Sequence, residues 1–262
     1  MIPNNIFTYW SGDKPPYIDY CLKTMQKRFG KKLVIITPET EDEYIKGVEI
    51  NPRFKDITWI AQRIDCLRIA VLSKHSGLWA DADTVAIKSP DHLFNRNSDV
   101  VVTKWQRTNR ILNGYFMAQK NSKFMQLCLE YINNILTNNF KRSYPEEGGV
   151  LFGEVMFNKI AKEYPQLVEY VGLDTWLPIE FPFNKDVWFQ RYKIEKFVKK
   201  HTVCIGLNHS QYPETLRQKS VAQHMEKQDL FGDIFRYSEK LGAILDWKSP
   251  LLCPHCGKEI EL

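Results

Sequence analysis

The order of short patterned segments near the start of the chain constrains its fold most. Asn5 to Trp10 is β-branched and aromatic and stops at Ser11-Gly12-Asp13, which predicts a strand entering a turn. Pro15-Pro16 opens a helix from about Tyr17 to Phe29, with Ile18, Leu22, Met25 and Phe29 at helical spacing and Gly30 as the stop. Leu33 to Thr37 is a short apolar run closed by Pro38 and reads as a buried strand; Glu39 to Lys46 reads as a charged, exposed helix. Strand, helix, strand, helix begins an α/β sheet with parallel strands. Such sheets bind ligands at the carboxyl ends of their strands. Tyr9, Trp10 and Gly12 fall at that end of the first strand and are placed to touch a ligand, with Trp10 as a plain core aromatic the alternative.

The next segment carries the chemistry. Ile60 to Ser76 predicts a helix in which Ile60, Ile64, Leu67 and Val71 form an apolar stripe. Asp65 and Arg68 lie on a neighbouring line, one turn apart. They read either as a surface ion pair or, given their apolar surroundings, as functional groups. Gly77 ends the helix, Leu78 to Ala80 reads as a strand, and Asp81-Ala82-Asp83 follows at once. On an extended chain Asp81 and Asp83 project to one side. Two such carboxylates suit Mn2+ or Mg2+, which take oxygen ligands, commonly only one or two of them protein carboxylates, and leave sites for phosphate oxygens. The expected substrate is therefore nucleotide-activated, in the first place a nucleotide sugar.

Size and charge narrow the classes. A chain of 262 residues buries a full core, and a formal charge of +5 permits an anionic partner without demanding one. No nucleic-acid partner is expected. No apolar segment approaches the ~20 residues of a spanning helix, and Met1 to Asn5 lacks the start of a secretory signal. The expectation is a cytoplasmic protein, with attachment to the inner face of a membrane as an extension of it. Six cysteines are scattered, and four of them, Cys21, Cys66, Cys128 and Cys204, stand in apolar surroundings that suit small core residues.

Farther along, Asp99 to Thr103, Ile111 to Ala118, Val168 to Val171 and Thr202 to Gly206 read as strands. Phe124 to Leu136 and Leu151 to Tyr164 read as helices. Glu146-Glu147-Gly148-Gly149 reads either as a turn or as an anion-binding loop before the second of these. The organisation expected is a catalytic domain over residues 1–245 and a short tail over 246–262. That tail holds Cys253-Pro254-His255-Cys256, half of a zinc ribbon, so Cys253 and Cys256 are candidate Zn2+ ligands that lack a second close pair. Arg191, Lys193, Lys196, Lys199 and Lys200 cluster late. They read as a solvated helix face or as a contact with an anionic membrane.

Four segments together resemble a known family: Ile2-Pro3 through Phe7-Thr8-Tyr9-Trp10-Ser11-Gly12, Asp65-x-x-Arg68, Gly77-Leu78-Trp79-x-Asp81-x-Asp83, and Leu207-Asn208-His209-Ser210. They resemble sugar transferases of the capsular polysaccharide synthesis and Och1-like mannosyltransferase group, and more distantly the glucosylating domains of clostridial toxins. The resemblance implies an α/β type A glycosyltransferase fold, a Rossmann-like mixed sheet flanked by helices. It implies a nucleotide-sugar donor, a divalent cation (often manganese), a glycan or lipid-linked acceptor and retention of anomeric configuration. Carried over by position, Trp10 stacks on the nucleobase, Asp65 holds donor sugar hydroxyls and Arg68 sits near sugar and diphosphate. Asp81 contacts ribose, sugar or metal, Asp83 ligates the metal, and His209 is a further metal ligand. Departures are Ser76-Gly77 where the family commonly has a glycine pair, Ile64 where relatives often carry a small polar residue, and Tyr212 where a tryptophan often follows the histidine. With no spare carboxylate evident for a covalent route, front-face attack is expected. A nucleotide-sugar hydrolase, a nucleotidyltransferase and an inactive glycan-binding module remain alternatives; oligomeric state is open.

Overall fold

The computed structural model describes residues 1–145, 150–179, 188–208 and 214–242. In chain order its elements are β1 (Ile6–Tyr9), α1 (Pro16–Phe29), β2 (Leu33–Ile36), α2 (Glu41–Ile45), α3 (Ile60–His75), β3 (Gly77–Ala80), β4 (Thr84–Ala86) and β5 (Val100–Lys104). Then come β6 (Ile111–Ala118), α4 (Lys123–Asn138), α5 (Met156–Glu163), β7 (Val168–Val171), β8 (Cys204–Gly206), α6 (Glu214–Arg217), α7 (Val221–Met225) and α8 (Leu230–Lys240). Six strands form one sheet in the order β2-β1-β3-β6-β5-β7, and β4 and β8 form a two-stranded sheet. The chain divides into two compact units: residues 1–7, 38–80 and 93–171, and residues 8–37, 81–92 and 172–262.

The first unit is a mixed sheet with helices α3 and α5 packed on it and α4 packed against both helices. β1 and β3 are parallel through Ile6↔Leu78 and Phe7↔Trp79, while β3 and β6 are antiparallel, with Ala80 opposite Tyr115. β5 is antiparallel to β6 and parallel to β7. The expected parallel start is therefore followed by an antiparallel turn-back at β6. The α3–β3 junction is unusually tight. Ser76 (φ 56°) and Gly77 (φ 113°) both have positive φ, and a Cβ on Gly77 would come within 2.3 Å of the Asn5 carbonyl oxygen. That same oxygen accepts the Leu78 N–H at 2.8 Å. Only glycine fits where one backbone presses on another.

Three expected helices differ in character from their sequence patterns. In α3, Ile60 is 48% exposed and Ile64 half-buried, whereas every residue from Asp65 to Leu72 is buried. The stripe fails because α2, α4, β3 and β6 all pack on this one helix. α2 is shorter than expected, and its Glu41 is buried because Arg63 donates to its carboxylate. The expected helix over Leu151 to Tyr164 breaks: Val155 N–H bonds Val150 O in a wide turn, Gly153 is non-helical, and regular helix begins at Met156.

In the second unit β2 borders the end of β1, where Trp10 N–H donates to Ile36 O at 3.1 Å. α1 starts behind Pro15, carries Pro at its first position and ends at Gly30 with φ 63°. Its buried face packs against β4. β4 pairs antiparallel with β8 through Val85↔Ile205, a pairing that neither short segment announces by itself. α7 carries a full capping box on Ser220 and Gln223, and α8 is capped by Asp229. No helix among the described residues is long and apolar enough to cross a membrane.

Candidate active site

In the first unit a charged cluster is buried at the carboxyl end of β3. Because β6 runs antiparallel with Tyr115 opposite Ala80, Asn113 lies just beyond that end. α3 runs back along the sheet, which places Asp65, in its first half, at the same edge. Asp65 and Arg68 are each only 7% exposed. Asn113 Nδ2 donates to Asp65 Oδ1 at 2.7 Å, and Arg68 Nη1 donates to the Asn113 carbonyl at 2.5 Å. Arg68 Nη2 lies 3.4 Å from Asp65 Oδ1, and the guanidinium stands 5.3 Å from the centre of the Trp79 ring. The surface ion-pair reading is thus excluded. Gly153 backs the cluster: a Cβ there would come within 2.3 Å of Asn113 Nδ2. Asn113 was not singled out from sequence. Its signal is an amide inside the otherwise apolar strand Ile111–Ala118.

Next to Gly153, Glu154 is a half-buried carboxyl that accepts from Trp105 Nε1 at 2.6 Å. Burial raises its pKa, opposed by the Trp105 hydrogen bond and by Arg110. Glu154 is a partly buried carboxyl that the sequence reading did not single out. Glu154 falls where the helix pattern breaks, so periodicity gave no hint of it.

In the second unit the acidic pair begins at the residue after β3. Asp81 and Asp83 are half-buried, flank the buried Ala82, and lie in a bend rather than an extended run. Thr84 Oγ1 donates back to the Asp81 carbonyl, which closes the bend, so the period-two argument for their direction does not apply. The Asp83 carbonyl accepts Leu207 N–H at 2.8 Å. This bond ties the acidic bend to the end of β8 and to the adjoining Asn208, whose φ is 57° and whose buried Nδ2 has no hydrogen-bond partner among the described residues. Burial first, and the Asp83 charge second, push the Tyr17 hydroxyl well above its ordinary pKa. The thiols of Cys21 and Cys204 are raised by the same two causes.

Tyr9 is buried, and Trp10 is half-buried with its Nε1 donating to Gly12 O at 3.2 Å. Gly12 has φ 78°, a turn conformation that glycine favours. Directly after it, Asp13, Lys14 and Arg217 contribute to a cavity of about 440 Å³ at the start of α1. Among the described residues no three His, Cys, Asp or Glu side chains are grouped as a cation site. His209, Cys253, Cys256 and the loop 146–149 lie outside the described residues. Two carboxylates alone still fit a magnesium- or manganese-type ion, which completes its shell with phosphate and water.

The sequence model for capsular polysaccharide synthesis proteins matches residues 1–225. A comparison with curated protein sequences returns no match. Among solved structures, the glycosyltransferase GlyE of Streptococcus pneumoniae TIGR4 aligns with a TM-score of 0.50 at 9% identity, over 93% of this chain and 62% of that one. The PaToxG glycosyltransferase aligns at 0.48 and 17% identity, over 63% of this chain and 70% of that one. Mouse xyloside xylosyltransferase 1, in its apo form, aligns at 0.48 and 11% identity, over 80% and 99%. This chain belongs to the capsular polysaccharide synthesis protein family and has the type A glycosyltransferase fold.

Proposed function

We propose that this protein transfers a sugar from a nucleotide-sugar donor to a hydroxyl of a glycan or lipid-linked acceptor, with a divalent cation and with retention at the anomeric carbon. The observation that carries the reading is the buried Asp65–Asn113–Arg68 cluster. Burying two ionised groups costs several kcal/mol per ion and rarely stabilises a fold, so a chemical use is the better account of it. Asp65 holds donor sugar hydroxyls, Arg68 takes negative charge from the diphosphate, and Asn113 fixes the angle between them. Trp10 stacks on the base. Asp83, aided by Asp81, holds the cation; His209 is a further ligand candidate. A bound Mn2+ or Mg2+ supplies a Lewis acid for the departing phosphate oxygens.

Front-face attack remains the preferred route, with the leaving phosphate accepting the acceptor proton. Glu154, next to the Gly153 that backs Asn113, supports a second reading, a double displacement through its carboxylate. The test is a screen of nucleotide sugars for manganese-dependent turnover, repeated with Asp83→Asn and Glu154→Gln. Asp83→Asn is expected to keep its fold and lose metal-dependent turnover; retained turnover removes the assignment. Glu154→Gln is expected to keep most activity, and its complete loss, rescued by azide as an anomeric azide, selects the covalent route.

A further inference from the structure

The basic cluster late in the chain is not a helix face. Residues 189–201 form an irregular strap in the second unit, with one short helical turn at Ile194–Lys196. Two fully buried side chains, Trp188 and Ile194, pin it down. Asp233 adds to this by accepting from Ile194 N–H at 2.9 Å and Lys193 Nζ at 3.0 Å. Between and beyond the pins the strap turns outward: Phe189, Arg191, Tyr192, Lys196, Lys199 and Lys200 are all exposed.

The charge there is concentrated. Five basic residues stand against Glu195 alone, a net +4 within a strap of a chain whose total is +5. Of the five, Lys193 alone is ion-paired among the described residues; Lys196 sits over the Tyr192 ring at 5.8 Å. Two large apolar rings, Phe189 (44% exposed) and Tyr192 (38%), share this surface. Arg191, Tyr192 and Lys193 also edge a cavity of about 400 Å³ that Arg236 lines from α8. The Arg236 guanidinium is already held by the carbonyls of Met225 and Lys227.

A solvated charged surface needs no exposed aromatics. A surface for nucleic acid or another soluble polyanion uses the charge and leaves the rings idle or stacked. Basic residues interleaved with exposed rings match the headgroup layer of an anionic bilayer, where cations meet phosphates and amphipathic rings sit at the interface. We propose that the strap 189–200 docks this protein on an anionic phospholipid surface, with the cavity beside Arg191 receiving a headgroup phosphate. This rests on the strap alone and stands or falls independently of the transferase reading.

The test is co-sedimentation of the full chain with phosphatidylcholine vesicles and with equimolar phosphatidylcholine–phosphatidylglycerol vesicles. Binding is expected only to the second and is expected to weaken as salt rises. Each surface lysine contributes roughly a fivefold factor in partitioning. The triple variant Lys196→Glu, Lys199→Glu, Lys200→Glu should therefore lose about a hundredfold or more. Phe189→Ser with Tyr192→Ser should weaken binding at high salt, where the charge contribution is screened. Urea unfolding of each variant checks that the fold is intact. Equal binding to both vesicle types overturns the proposal. So does displacement of the protein from vesicles by soluble polyphosphate with no effect of the ring substitutions, which marks a general polyanion surface instead.

Discussion

Arg68 does two things that a single point charge cannot. Its Nη1 donates to the Asn113 carbonyl and its Nη2 faces Asp65 Oδ1, from a plane set against Trp79. Lysine has the charge without the planar fork. Arg68→Lys should therefore lower turnover by about a hundredfold or more, the scale of losing one aimed donor. It should cost about 1–3 kcal/mol of stability, because a buried acceptor goes unsatisfied. Steady-state kinetics and urea unfolding measure the two separately. Lost stability with unchanged turnover would make Arg68 structural only. That Asp65 and Arg68 project together was legible in their spacing on a helix. Asn113 was not, because its partners lie about fifty positions away along the chain and meet it only through the β3–β6 register.

At the scale of elements, α1, α7 and α8 enclose a buried histidine. His224 is 1% exposed and packs against Tyr17, Phe231 and Phe235. Burial lowers its pKa to about 4; the Leu216 carbonyl and Asp229 oppose this, and Lys219 and Lys227 add to it. The depressed value means the neutral ring is favoured in the fold. Stability from this site is complete above about pH 6.5 and is lost as pH falls toward 4. The amplitude is about 3 kcal/mol at most. Urea midpoints at neutral pH and near pH 4.5 should differ more for the wild type than for His224→Gln, which keeps a polar group but does not titrate. An equal acid loss in both would remove His224 as the cause. Helix α8 itself escaped the sequence reading. Its apolar positions Leu230, Phe231, Ile234 and Phe235 fit a helix.

At the scale of the whole molecule, the buried thiols report on opening. Cys66 and Cys128 belong to the first unit and Cys21 and Cys204 to the second, all fully buried with pKa values raised chiefly by burial. Under native conditions these four should not react with a thiol reagent. Mass spectrometry after brief labelling reads the count. Fast labelling of Cys66 or Cys204 would show that its unit opens freely. Sequence placed all four correctly, since a thiol among apolar neighbours is a small core residue.

What the chain determined alone was local. The approximate boundaries of β1, α1, β6 and β7 and the glycine stop at Gly30 follow from side-chain type and near spacing, which act over a few residues. The tertiary structure decided the rest. It set the antiparallel turn-back at β6, the all-round burial of α3, the bend at Asp81–Asp83 and the bond from Leu207 to Asp83. Each of these depends on a partner distant in sequence, and periodicity carries no record of which distant surface a segment will meet.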